Sequence, residues 1–262
     1  MATKNTAIGG FVVTGFGAVA DAFRRNLDDL DDVGAAFAVV KDGELVVDLW
    51  GGLADRATGR PWQEDTLQVI WSGTKGLTAA CTALLVDRGL LDIDAPVARY
   101  WPAFQHGRPD ILVRHVLSHT AGLPGIAAAV SESEMLDHAL MIGYLETQTP
   151  LWPAGERYSY HGLTVGWLSD ELVRRTDGRR VAQFFADEFA KPLGLEAWIG
   201  LPAEYEPKVS VMHYWDKWST PEIPPAPPLD RLFLWPKLGP NHPNPYNTVA
   251  YHQGEIRPAT RS

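Results

Sequence analysis

The chain has 262 residues, 45% of them hydrophobic and 21% charged, which gives enough apolar material for one large domain or two packed subdomains and excludes a disordered chain. A formal charge of −9 with no dense Lys/Arg cluster excludes a nucleic-acid partner, because binding phosphates requires a basic face. No stretch approaches the roughly twenty apolar residues of a membrane span, so a soluble, cytoplasmic protein with no membrane partner is expected.

In chain order, Ala7 to Ala20 is apolar and follows Lys4, a superficial likeness to a secretory signal. Its glycines and Thr14, its lack of leucine, and the Asp21, Arg24 and Arg25 that follow fit another reading better. That reading is a loop leading into an amphipathic helix with Val19, Phe23, Leu27 and Leu30 on one face. Gly34 to Val40 and Glu44 to Trp50 read as strands joined at Lys41-Asp42-Gly43, a hairpin signal. Gly51-Gly52 is expected to end the second strand, and Ala54 to Glu64 reads as loop. After Leu67 to Trp71 a helix runs from Ser72 to about Arg88, closed by Gly89. On its apolar side Cys81, the only cysteine, falls with Leu77, Leu84 and Leu85, as a packed hydrophobe that has no disulfide partner.

Pro96 and Pro102 punctuate a connector carrying Tyr100 and Trp101, and a short helix at Leu112 to Leu117 leads into the turn-rich Ser118 to Pro124. Helices are expected around Ser133 to Glu146, Leu163 to Arg175 and Val181 to Ala190, with Trp152, Trp167 and Trp198 in the core. A hairpin at the start and helices in the middle predict an α+β chain, a sheet layer with a helical subdomain inserted into it. Thr220 to Pro245 holds nine of the chain's 20 prolines and reads as an ordered surface loop. Phe233 and Trp235 within it fit an aromatic lid over a pocket.

The chemistry centres on Ser72-Gly73-Thr74-Lys75. Residues three apart share a helix face, so the Lys75 amine is within reach of the Ser72 hydroxyl. A serine is a poor nucleophile until a neighbouring base takes its proton, and S-x-x-K is one compact way to supply that base. Such a tetrapeptide arises by chance about once in a few hundred residues, so its surroundings decide. A lysine near ~10.4 and a tyrosine near ~10 are not bases at neutral pH. Held together in a cleft, each ion favours the other while burial opposes both, and they titrate as a pair. From residue identity alone, Tyr158 and Tyr160 are both candidates for the phenol. His119 and His161 invite a Ser-His-Asp arrangement, but no G-x-S-x-G elbow is present, and structural roles are expected for both. The eight histidines include no H-E-x-x-H motif, and neither a metal nor an organic cofactor is expected. Trp71, directly before the serine, is expected to wall a substrate pocket.

Five segments then occur in order: W-S-G-T-K-G-L-T-A (71–79), L-S-H-T-A-G-L-P (117–124), W-P-A-G-E-R-Y-S-Y-H-G (152–162), G-W-L-S-D-E-L-V (166–173) and F-A-K-P-L-G-L (189–195). Together they resemble the serine β-lactamase and penicillin-binding-protein superfamily. The resemblance is to its class C-like carboxylesterase branch, the family VIII esterases, and it covers about Gly15 to Glu255. It implies a β-lactamase/transpeptidase-like fold, an antiparallel sheet with a helical subdomain. It implies Ser72 as the acylated nucleophile, Lys75 as its activating partner and Tyr160 as the tyrosine of the second motif, usually Y-x-N. That motif is Tyr160-His161-Gly162 here, which places His161 and Gly162 at the substrate and puts glycine where the family has asparagine. The change favours esters over β-lactams.

The same resemblance implies a longer C-terminal region with a third motif, K-T-G or H-x-G, that supplies the second oxyanion donor. Against that pattern the chain reads as one β-lactamase-like domain shortened at its C-terminal end, with sheet strands missing there. Its parts are 1–70 (helix and hairpin), 71–205 (helical subdomain with the motifs) and 206–262 (Pro-rich loop and tail). His252-Gln253-Gly254 matches H-x-G formally but directly follows the Pro-rich loop. The implied function is a serine hydrolase acting on a small-molecule ester, with weak β-lactam hydrolysis. Alternatives are a catalytically impaired remnant that binds or oligomerises, completing its sheet through a second copy as a homo-oligomer, and acyl transfer from the same acyl-enzyme.

Overall fold

The computed structural model describes residues 6–30, 32–105, 111–128 and 130–212. The Pro-rich stretch and the His252-Gln253-Gly254 triplet lie outside them. The described residues form two compact units, one of residues 6–69 with 203–212 and one of residues 70–202.

The first unit is a four-stranded antiparallel sheet with one helix. Its elements are β1 (Ile8–Val12), α1 (Gly17–Asp29), β2 (Gly34–Lys41), β3 (Glu44–Asp55) and β4 (Arg60–Pro61). β3 lies between β1 and β2, and its far end pairs with β4. Asp42 and Gly43 close the β2–β3 hairpin, both at positive φ (53° and 84°), the turn geometry whose twist matches paired strands. α1 lays Phe23 and Leu27 against Val46, Val47 and Leu49 of β3.

Two expectations fail here for one reason, which is glycine. β3 does not stop at Gly51-Gly52 but runs on to Asp55, and β1 occupies a stretch read as loop. At Gly9 a Cβ would sit 2.4 Å from the Trp50 indole nitrogen. The residue that lowers strand propensity is what lets the indole lie across the neighbouring strand. The hairpin is therefore not alone: with β1 and β4 it is a sheet able to bury one face.

The second unit is helical. A single turn, Trp71–Gly73, runs into α2 (Thr74–Asp87). There follow α3 (Val113–Leu117), α4 (Glu132–Met135), α5 (His138–Thr147) and α6 (Thr164–Asp177). α7 (Val181–Phe185) continues through a π turn, Ala186–Ala190, into α8 (Lys191–Leu193). The single helix expected over 133–146 is two, because Asp137 caps the second by accepting the Leu140 N–H (3.0 Å). Cys81 and Leu85 of α2 join Leu168 and Leu172 of α6, Trp101, Phe104 and Phe184 in one core. Burial pushes the Cys81 thiol up to about 12, so it packs and does not react. Trp101 is the fully buried tryptophan, whereas Trp167 only borders the core and Trp152 and Trp198 are half-buried. No helix among the described residues is long and apolar enough to cross a membrane. No three or more His, Cys, Asp or Glu side chains among the described residues cluster in a way that could hold a metal ion.

Two buried carboxylates on α6 hold the helices together. Asp170 accepts the first N–H of α7, from Val181 (2.7 Å), and pairs with Arg180. Glu171, 2% exposed, takes two hydrogen bonds from Arg174 (2.7 Å each) and one from Arg175 (2.6 Å). Arg175 also stands over the Trp101 ring, 5.3 Å from its centroid, and the Trp101 N–H donates to Glu146. Burial by itself raises the Glu171 carboxyl, but the hydrogen bonds from Arg174 and Arg175, with the His138 ring 3.7 Å away, outweigh it and hold the group well below the usual carboxylate range.

A depressed folded value stabilises the fold above the unfolded value, ~4.3 for glutamate, and the stabilisation fades as pH falls below it. Glu171→Gln is expected to cost about 2–3 kcal/mol at neutral pH, the loss of hydrogen bonds to a charged group. Between pH 4.5 and 2 its denaturation midpoint should fall less steeply than that of the wild type. Urea unfolding across that range checks both expectations.

Candidate active site

Ser72 sits in the turn before α2, and the residue ahead of it is under strain. Trp71 has φ 51°, a left-handed backbone that costs a bulky side chain about 1–3 kcal/mol. The turn runs unbroken into α2, so the Ser72 N–H belongs to the first turn, where helical N–H groups lack an intrahelical acceptor. Lys75 lies one turn on and donates from Nζ to Ser72 Oγ at 3.1 Å. Tyr160 brings its Oη to 2.6 Å from the same Oγ, and Lys75 Nζ stands 4.9 Å from the Tyr160 ring centroid. Burial works to raise the Tyr160 phenol, but its hydrogen bonds with Ser72 and Lys75 and the charge of Lys75 outweigh that, and the net shift is downward.

Tyr160 lies on no regular element, so its position depends on how residues 155–164 are held. They lace against residues 118–124 through bonds at both ends. Gly155 N–H donates to the Thr120 carbonyl (3.0 Å) and Ser159 N–H to the His119 carbonyl (3.2 Å). The His161 N–H donates to His119 Nδ1 (3.0 Å), the Leu123 N–H to His161 Nε2 (3.1 Å), and Thr164 Oγ1 to the Leu123 carbonyl (2.6 Å). Gly122 permits a neighbouring approach, that of residues 150–152, where the Leu151 N–H donates to the Gly122 carbonyl (2.9 Å). At φ 74°, a Cβ there would lie 2.5 Å from the Trp152 carbonyl oxygen.

The structure thus brings Ser72, Lys75 and Tyr160 together and separates the two tyrosines. Tyr158 is 68% exposed and meets only the edge of His119, ring centroids 6.1 Å apart. His161, expected at the substrate, is instead fully buried. Its Nε2 accepts the Leu123 N–H and its Nδ1–H donates to the Ser159 carbonyl at 2.6 Å, so both ring nitrogens serve the backbone. Burial, more than the neighbouring His119, pushes its value down to about 4 and keeps it neutral. Gly162 lies in the turn that enters α6, and Trp71 is half-buried beside Ser72. A cavity of ≈ 330 Å³ opens at Lys75 and His119 and continues between Ala79 and Ala83 of α2 and Val165 and Gly166 of α6. Trp71 is not in its lining. His119, expected from the sequence to be structural, bonds the backbone beside Tyr160. It is central to the lacing, and its own φ is 62°.

Among known proteins, the family described as Beta-lactamase matches residues 20–243. The esterase/beta-lactamase LipL of Mycobacterium tuberculosis is 42% identical over 179 residues, 68% of this chain and 41% of that protein. Among solved structures, a penicillin-binding protein homolog from Caulobacter crescentus superposes with a TM-score of 0.83 at 36% identity, covering 91% of this chain and 64% of that one. A family VIII carboxylesterase superposes with a TM-score of 0.75 at 39% identity, covering 79% and 57%. The chain therefore spans about two fifths of the length of the Mycobacterium relative.

Because the approach of residues 150–152 needs a residue without a Cβ at position 122, Gly122→Ala is expected to destabilise the protein by about 2 kcal/mol or more, from the strained φ together with the close contact. Gly143→Ala, on α5 with nothing within 4 Å of the added atom, should be neutral or stabilise by up to ~1 kcal/mol. Denaturant midpoints of the two variants, measured together, check the contrast.

Proposed function

The chain belongs to the beta-lactamase family, and on that premise we propose that it is a serine hydrolase that cleaves small acyl esters through an acyl-enzyme on Ser72. The observation that carries this proposal is the convergence of Lys75 Nζ (3.1 Å) and Tyr160 Oη (2.6 Å) on one hydroxyl oxygen. Lys75 donates to Ser72 Oγ, which leaves the hydroxyl's own proton directed at Tyr160 Oη. An ionised Tyr160 accepts that proton as Oγ attacks the ester carbonyl, with the Ser72 N–H donating to the oxygen that gains charge. The carbonyl then re-forms, the bond to the alcohol oxygen breaks, and the alcohol leaves with the proton held by Tyr160. Water attacks the acyl-enzyme in turn, giving its proton to Tyr160, and Ser72 is regenerated as the acid departs.

Ester substrates are favoured over β-lactams by Gly162, which stands where the family resemblance has an amide-bearing asparagine. The names of the similar proteins agree with an ester: one is an esterase/beta-lactamase and another a carboxylesterase. The cavity beside Lys75, lined mainly by aliphatic side chains, suits an apolar acyl group. A cytoplasmic location belongs to the same proposal.

Intact mass after brief exposure to a small alkyl fluorophosphonate tests the proposal. The wild type should gain one adduct, Ser72→Ala none, and Tyr160→Phe should react about 10²–10⁴ times more slowly, the usual contribution of a positioned base. The wild-type rate should climb at a pH below the ordinary tyrosine value of ~10, since the ionised phenol is the reactive form, and Tyr160→Phe should lose that rise. A folded wild-type sample that takes no adduct would refute a working nucleophile.

A further inference from the structure

We propose that His119 is the positioning residue for the Tyr160 phenol, gripping the backbone on both sides of that tyrosine so that Oη is held on Ser72 Oγ. The proposal rests on the hydrolase function argued above for what Oη does there, but the grip itself is a matter of geometry. The His119 carbonyl accepts the N–H of Ser159, the residue before Tyr160, at 3.2 Å. Its Nδ1 accepts the N–H of His161, the residue after, at 3.0 Å. Its ring packs beside the phenol ring, centroids 5.0 Å apart and tilted by 48°. One residue therefore fixes residues 159 and 161 and the ring of 160 between them.

Each of these contacts makes a demand on position 119. For both the carbonyl and the ring to point at the same segment, the backbone is left-handed, φ 62°, a conformation that histidine, asparagine and aspartate adopt more readily than most residues. To accept an N–H, Nδ1 must carry no proton, so the neutral ring with its hydrogen on Nε2 is the working form. The groups around the ring keep it so: burial first, then the Lys75 ammonium, disfavour the imidazolium. The remaining titratable neighbours are Tyr160, Tyr158 and the ring of His161, whose centroid is 5.6 Å away. Neither nitrogen of His119 bonds to Ser72, whose hydroxyl is engaged by Lys75 and Tyr160. His119 therefore acts through the tyrosine. It takes no proton from the nucleophile.

Asparagine makes a discriminating variant, since its Oδ1 lies the same number of bonds from the backbone as Nδ1 and tolerates a left-handed residue. The amide of His119→Gln reaches the position of the other ring nitrogen and cannot accept the same N–H. Two readouts are taken on folded full-length variants: the rate of Ser72 phosphonylation by the small fluorophosphonate, and the NMR titration of Tyr160 with tyrosine labelled at Cζ, assigned by Tyr160→Phe. His119→Gln should slow phosphonylation about 10–100-fold, as expected for a reacting group displaced by about 1 Å, and return the Tyr160 titration toward that of free tyrosine. His119→Asn should stay within about threefold of the wild type with the titration unmoved. In a Tyr160→Phe background the Gln change should add less than about a twofold loss. Equal losses in both backgrounds, or Asn behaving like Gln, would overturn the proposal. If the wild type took no adduct, the hydrolase function would fail, while the Tyr160 titration would still decide the grip.

Discussion

The reactivity proposed for Ser72 depends on a seam of hydrogen bonds between two segments that are neither α-helix nor strand up to Leu163, residues 118–124 and 155–164. Ser72 and Lys75 need little help, because one helical turn sets their spacing and the helix is anchored through Cys81 and Leu85. Tyr160 comes from 88 residues away, and no secondary-structure period fixes its place. The seam does so instead. It joins main-chain donors to main-chain carbonyls and to two imidazoles, and one hydroxyl to a main-chain carbonyl, so each polar group drawn out of water finds a partner. An unmade bond there would leave a buried donor uncompensated, at about 1–3 kcal/mol each. That cost makes the seam close as a unit.

The seam decides the electrostatics as well as the geometry. At about 4 Å in surroundings of intermediate polarity, an ammonium and a phenolate attract by roughly 4 kcal/mol, against about 1 kcal/mol in water. An attraction of that size can overcome the burial that opposes an ionised phenol, which is the direction found for Tyr160. The balance holds only while Oη stays close to Ser72 and Lys75. A displacement of a few ångströms admits water, weakens the attraction and returns the tyrosine to a group that holds its proton at neutral pH. Position and basicity at Tyr160 are one property.

How much of this could be read from the residues depends on the range of the forces involved. The hairpin at Asp42-Gly43, the helix after Ser72 and the burial of Cys81 were all legible, because each follows from local turn chemistry or helical period. β1 was not, since Gly9 and Gly10 read as breakers until Trp50 of the neighbouring strand is known to lie across them. The break at Asp137 was hidden by apolar periodicity continuing on either side, although an aspartate able to cap was visible. At the site, Ser72 and Lys75 were legible from spacing alone. Tyr160 was selected over Tyr158 only by family resemblance. The seam that distinguishes them consists of contacts between residues about 40 positions apart, and nothing in local composition records it.

The two histidines show why residue type alone misassigns roles here. A serine, two histidines and nearby acids suggest a triad on inspection, and in a triad an imidazole must have one nitrogen free to take the serine's proton. His161 has neither: Leu123 and Ser159 occupy both, and burial keeps the ring neutral well below physiological pH. His119 spends Nδ1 on the backbone of residue 161 and sits near an ammonium that opposes its protonation. An imidazole whose charged form is disfavoured is a poorer general base but a steadier hydrogen-bond acceptor. In the proposed function the proton chemistry therefore falls to the tyrosine, and the histidines hold the backbone around it. Building the site this way puts the acid–base group and its scaffold on different residues, so displacing the scaffold disarms a tyrosine that is itself unaltered.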